Sequence, residues 1–109
     1  MKYRVVLADR ALVDIDRNAR WWAKHRSVDQ AIRWYEGILA AIYTLDTNPH
    51  QWPVARENEK FTYELRALHY GVRSQPTHRA LFTIRDDGAV VVLSVRHAKQ
   101  HDVAPDDLL

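Results

Sequence analysis

His78-Arg79-Ala80-Leu81-Phe82-Thr83-Ile84-Arg85 alternates its side chains between two faces, Asp86-Asp87-Gly88 interrupts it, and Val90-Val91-Val92-Leu93-Ser94-Val95 follows as the most apolar strand-like run. Period-two alternation is the mark of a half-buried strand, and Asp-Gly between two such runs is a tight hairpin signal. Ala80, Phe82 and Ile84 share one face of the first strand, with Arg79, Leu81, Thr83 and Arg85 on the other. The second run has almost no polar face, which predicts a central strand covered on both sides.

The rest of the chain is built outward from this hairpin. Upstream, Phe61-Thr62-Tyr63-Glu64-Leu65-Arg66-Ala67 alternates again and predicts another strand, joined to the hairpin by a longer turn from Gly71 to Thr77 that contains Pro76. Thr47 to Lys60, with Pro49, Pro53 and the polar run Arg56-Glu57-Asn58-Glu59-Lys60, predicts a loop. Before it the period changes. Leu12, Ile15, Ala19 and Trp22 form one stripe of a helix from about Arg10 to Lys24, N-capped by Asp9, with Asp14, Asp16, Arg17, Arg20 and Lys24 on the polar face.

Ser27 with Gln30 three residues on is a capping-box pattern, and it opens a second helix from Val28 to Asp46. Ala31, Trp34, Tyr35, Ile38, Ala41, Ile42 and Leu45 keep its period until Asn48-Pro49 stops it. So short a link makes the two helices an antiparallel hairpin. Tyr3 to Leu7 predicts a first strand, and Pro105 to Leu109 a last helical turn. The order β-α-α-β-β-β predicts an α+β fold of two layers, a helical hairpin packed on one face of a mostly antiparallel four-stranded sheet.

With 109 residues, the chain fits a single domain, 1–109. A hydrophobic content of 47% with 28% charged residues is ordinary globular usage and excludes disorder. No apolar run approaches the roughly 20 residues that span a bilayer, and the N-terminus turns polar at Asp9 with no small-residue cleavage site, so neither membrane nor export is expected. Zero cysteines leave no disulfide, thiolate metal site or cysteine nucleophile, which fits a cytoplasmic protein. The net charge is +2, but the stretch from Lys60 to His101 carries +4 and four of the six histidines, making the C-terminal half the side for a polyanion. A solvated sheet face would carry the same charge.

The histidines are scattered, without metal-ligand spacing, and no metal or other cofactor is expected. Three widely separated glycines make no phosphate loop, and Ser27, Ser74 and Ser94 lack a nucleophile signature. What remains is polar residues on the sheet. Glu64 and Arg66 point away from the aromatics of their strand, Arg79 opens the next strand, and Arg96-His97 closes the last, so hairpin pairing could bring them together. Guanidinium groups with a histidine suit phosphate chemistry, since Arg holds phosphate bidentately and His moves a proton near neutral pH. Cross-strand pairing of Glu64 with an arginine on a solvated face is the competing explanation. Trp21, Trp22 and Trp34, on or beside the helix stripes, are core or partner-facing, and Trp52 between two prolines is ambiguous.

Over nearly its whole length the chain resembles the RelE/ParE superfamily, the toxins of bacterial type II toxin–antitoxin modules. The resemblance lies in Ala11 to Asp14-Ile15, the exit Leu45…Asn48-Pro49, Tyr63-Glu64-Leu65-Arg66, His78 to Ile84, Val92-Leu93-Ser94-Val95-Arg96-His97 and the tail Pro105-Asp106-Asp107-Leu108. It implies a cytoplasmic growth inhibitor, also met as a plasmid stabilisation protein, silenced by an antitoxin encoded next door. RelE-like members cut mRNA in the ribosomal A site without metal; ParE-like members poison DNA gyrase and lack the nuclease set. On the first branch, a ribosome-dependent endoribonuclease, Arg79 would stabilise the reacting phosphate, Arg66 or Arg96 would position the backbone, and His97 with Glu64 would carry protons. Arg96, Lys99 and Lys60 would then meet RNA. Thr62 and Glu64 stand where the best-known nucleases have lysines, which keeps the gyrase branch open, as it does a non-toxic antitoxin-binding module. Leu12, Trp21, Trp22, Trp34 and Tyr35 would take the antitoxin, folding along the helical hairpin and sheet edge.

Overall fold

A computed structural model describes residues 2–72 and 75–108. Strand β1 (Arg4–Leu7) leads to helices α1 (Asp9–His25) and α2 (Val28–Tyr43), then β2 (Arg66–Val72), β3 (Gln75–Ile84) and β4 (Ala89–His97). The sheet order is β1-β4-β3-β2, with β1 parallel to β4 and the other pairs antiparallel. This is the expected α+β fold, with β4 central.

Local chemistry accounts for most boundaries. Ser27 caps α2, its hydroxyl accepting the Gln30 N–H at 3.1 Å. Asp9 is not the cap of α1; Ala8 holds that position, and Asp9 sits in the first turn, where its charge complements the helix dipole. After Tyr43 the chain tightens into a 3-10 turn, Thr44–Asp46, and Asn48, left-handed at φ 52°, turns it into Pro49.

Two sequence expectations are corrected. The strand expected over Phe61–Ala67 begins only at Arg66, opposite Phe82, because Leu65 is held by the loop instead: its N–H donates to Asn58 Oδ1 and its carbonyl accepts the Ala55 N–H, both at 2.7 Å. Five of the seven residues of the expected turn from Gly71 to Thr77 are strand, with a bulge at Tyr70/Gly71 and Gly71 at φ 143°, where a Cβ would lie 2.5 Å from the Thr77 nitrogen. Its tip, Arg73-Ser74, lies outside the described residues, as does Leu109 of the expected last turn, a 3-10 turn over Pro105–Leu108.

The second correction concerns layers. The main core lies between the helices and the sheet, around Ile15, Trp34, Ile38, Ile42, Phe82 and Val92. The opposite sheet face is covered too, as the apolar run of β4 predicts, which adds a third layer to the two expected. Residues from the 53–65 loop and the C-terminal tail cover it, enclosing Ala55, Leu65, Ala67, Leu81 and Val103, with Phe61, Leu93 and Leu108 packed around them. Leu81 and Leu93, on the alternate positions of β3 and β4, are what this cover buries.

Candidate functional site

The expected cluster of Arg66, Arg79, Arg96 and His97 does not assemble on one face. Register decides this, because directly opposed residues of an antiparallel pair share a face and successive residues alternate. Arg79 is opposite Arg96, whereas His97 is opposite His78 and Arg66 is opposite Phe82. Arg79 and Arg96 therefore project beneath the covering loop and tail, while His97 and Arg66 belong to the helix side.

Each guanidinium already has partners. Arg79 is 3% exposed and donates from both Nη atoms to Glu57, at 2.9 and 2.7 Å. Glu57 also accepts the Val103 N–H at 3.0 Å, which ties the tail to the loop. Burial pushes the Glu57 carboxyl up, but the Arg79 hydrogen bonds, the Val103 N–H and the Arg79 charge outweigh it and hold the group at about 2. Arg96, also buried, donates to the His101 carbonyl at 3.0 Å. Arg66 donates to Glu64 at 2.8 Å and to the Trp52 carbonyl at 2.5 Å, bracing the loop after α2. Glu64, Lys60 and Lys99 are exposed.

On the helix side, the ends of β3 and β4 meet the C-terminal half of α1. Between them lies a cavity of about 420 Å³ lined by Asn18, Trp21, Trp22, Thr77, His78 and His97. His78 is buried, with its ring 5.3 Å from that of His97. The indole N–H of Trp34 can only donate, so Nδ1 of His78 accepts from it at 3.4 Å and from the Thr77 hydroxyl at 2.8 Å. Nε2–H then donates to Asn18 Oδ1 at 3.2 Å, and Asn18 Nδ2 is fixed on the Asp14 carbonyl at 2.8 Å. Burial, with the nearby His97, lowers the His78 pKa to about 4, so the ring is neutral at physiological pH. His97 Nδ1 accepts the Lys99 N–H at 3.1 Å.

The five apolar residues expected to take an antitoxin fall in three places. Trp34 is 7% exposed and belongs to the core, a correction that follows from its place on the buried stripe of α2 with Ala31, Ile38 and Ile42. Trp21 and Trp22 line the cavity just described, Trp21 stacked on His25 at 4.7 Å. Tyr35 is exposed on the outer face of the helical hairpin, where it lines an apolar groove of about 390 Å³ with Ala19, Val28, Ala31 and Ile32. Leu12, seven residues before Ala19 and half exposed, lies on that same face of α1.

Over residues 5–101 the sequence matches the family described as the ParE toxin of type II toxin–antitoxin systems, parDE. The chain belongs to this ParE toxin family. Among solved structures, one from the chromosomal ParDE system of P. aeruginosa superposes with a TM-score of 0.71 at 14% identity, covering 90% of this chain and 98% of that one. Another, from the RelBE2 toxin–antitoxin complex of Mycobacterium tuberculosis, gives a TM-score of 0.60 at 20% identity and covers 89% and 99%. Both share the fold. No curated protein matches the chain by sequence. Among the described residues of this ParE-family chain, no helix is long and apolar enough to cross a membrane.

Several residues that organise this ParE-family fold escaped sequence reasoning. Asp14, expected on the polar face of α1, is buried, accepting from Ser94 Oγ at 2.7 Å, the Val95 N–H at 3.0 Å and Arg10 at 3.2 Å. Its place between Ala11 and Ile15, with Arg10 one turn behind, was the available signal. Glu57 had none, since it lies in a charged run that reads as solvated loop.

Proposed function

We propose that this toxin inhibits growth as a ParE-type poison of DNA gyrase, engaging a protein target, and that it does not cut RNA. The observation that carries this choice is the buried pair of Arg79 and Glu57. A transition-state arginine must offer its charge to a phosphate, and both Nη atoms of Arg79 are already paired with a carboxylate, which neutralises that charge and would repel a second anion. His97, the expected proton carrier, projects from the other side of the sheet, and Glu64 is an exposed acid that would repel RNA. These features weigh against the ribosome-dependent branch and leave the gyrase branch with a sound scaffold.

Silencing falls to a cognate antitoxin. An apolar groove between two helices is what an amphipathic segment, disordered alone, fills as it folds, so the outer face carrying Leu12, Ile32 and Tyr35 is its seat. Induction of the chain alone in a bacterial host, with pulse labelling of DNA and protein, tests the reading. Thymidine incorporation should stop before methionine incorporation, and co-expression of the adjacent reading frame should restore both. Early loss of protein synthesis would favour the nuclease, and unchanged growth a non-toxic binding module.

A further inference from the structure

The cavity beside His78 continues into a second one. A hollow of about 350 Å³ lies across Trp22 and Thr77, which wall both, and is lined further by Gln30, Arg33, Trp34 and Tyr70. Together they form one groove from His97 to Arg33, on the sheet side opposite Arg79 and away from the outer face of the hairpin. Its lining is largely aromatic, with Trp21 and Trp22 at one end and Trp34 and Tyr70 at the other. Aromatic walls with a few convergent polar groups suit a small planar ligand.

The polar groups narrow the class. Gln30 Oε1 is buried and, among the described residues, has no hydrogen-bond partner. A buried acceptor without a donor is costly, so an occupant bearing an N–H is favoured there. Asn18, Thr77 and His97 add hydrogen-bonding groups at the other end. Arg33 is exposed at one mouth and makes no ion pair with a described residue, so its guanidinium donors are open to an anion, with Asp29 and Glu36 within a helical turn. A flat heteroaromatic ring with an N–H donor, attached to an anion, satisfies all of these at once.

We propose that the groove binds a nucleotide, its base stacked on Trp22 and its phosphate at Arg33. Every base presents a π-face to an indole, so stacking gives affinity with little sequence preference. An aliphatic ligand would leave the indole planes and Gln30 unmatched. The proposal is independent of how the toxin stops growth.

Calorimetry on the purified chain tests it, with AMP, adenosine, ribose 5-phosphate and a single-stranded pentanucleotide as probes. AMP should bind with a Kd of about 1 mM or tighter, adenosine more weakly, and ribose 5-phosphate not at all. Trp22→Ala should abolish binding. Trp22 also packs against the core, so Arg33→Gln, an exposed change, provides the second arm: AMP binding should weaken about tenfold while adenosine binding is unchanged. A pentanucleotide no tighter than AMP points to a free nucleotide, and one at least tenfold tighter points to an unpaired nucleotide within a strand. The proposal is overturned if the folded chain binds neither AMP nor the pentanucleotide at millimolar concentration, if Arg33→Gln leaves AMP affinity unchanged, or if AMP shifts no Trp22 indole resonance in an NMR titration.

Discussion

Glu57 and Arg79, 22 positions apart, are joined by two charge-assisted hydrogen bonds of 2.9 and 2.7 Å beneath the covering loop. Glu57 accepts the Val103 N–H as well, so one carboxylate holds together the loop, the sheet and the C-terminal tail. The arginine that resemblance assigned to phosphate is thereby bound to a structural partner.

Breaking that pair should therefore cost stability. Removing one partner of a buried ion pair leaves an uncompensated charge, at roughly 3–5 kcal/mol. Arg79→Ala and Glu57→Gln should each lower the unfolding free energy by an amount in that range, read from urea denaturation as a lower midpoint. Replacing both, as Glu57→Leu with Arg79→Met, should recover much of the loss. A stable Arg79→Ala single variant would show that the pair carries no structural weight.

Acid should destabilise the protein in two steps. His78 has a folded pKa of about 4 against 6.5 unfolded, so the unfolded chain binds the proton first. Its contribution is complete above pH 6.5 and is lost as pH falls towards 4. Glu57, at about 2 against 4.5, contributes fully above pH 4.5 and loses that contribution as pH falls towards 2. Each shift corresponds to about 3 kcal/mol. Thermal midpoints measured from pH 7 to pH 3 should fall throughout, and in His78→Gln the decline above pH 4.5 should be reduced.

Much of the fold was legible because it depends on local pattern: the stripes of both helices, Ser27 with Gln30, and Asp87-Gly88 at the hairpin. What was not legible depends on pairing at long range. Phe61 to Leu65 alternates like a strand, yet Leu65 bonds to Asn58 and Ala55 of the loop, and β2 begins only after it. Arg79 and His97 looked adjacent in chemistry, but one register places them on opposite faces. The covering layer was hidden because its members, such as Ala55, Leu65 and Val103, are scattered through polar stretches.

Gly37 offers a test of the contact between α2 and the sheet. A Cβ there would overlap the Tyr70 hydroxyl. Gly37→Ala should cost about 1–3 kcal/mol despite its better helix propensity. Adding Tyr70→Phe removes the hydroxyl and should restore most of the loss, as read by chemical denaturation.

On the outer face of the hairpin, stability and partner binding should separate. Ile32 and Tyr35 are 49% and 45% exposed, so Ile32→Ser and Tyr35→Ser should change stability by about 0.5 kcal/mol or less. If the antitoxin seats there, each should weaken its binding by at least about 2 kcal/mol, roughly thirtyfold, in titration calorimetry. Trp34→Phe, in the core, should do the reverse.

The most direct measurement places the purified toxin with programmed ribosomes carrying a defined mRNA codon in the A site, and maps RNA 5′ ends, alongside a DNA gyrase supercoiling assay. Intact mRNA at toxin concentrations that inhibit supercoiling is the outcome this account predicts. Cleavage within the A-site codon, lost in Arg79→Lys while the variant stays folded, would contradict it.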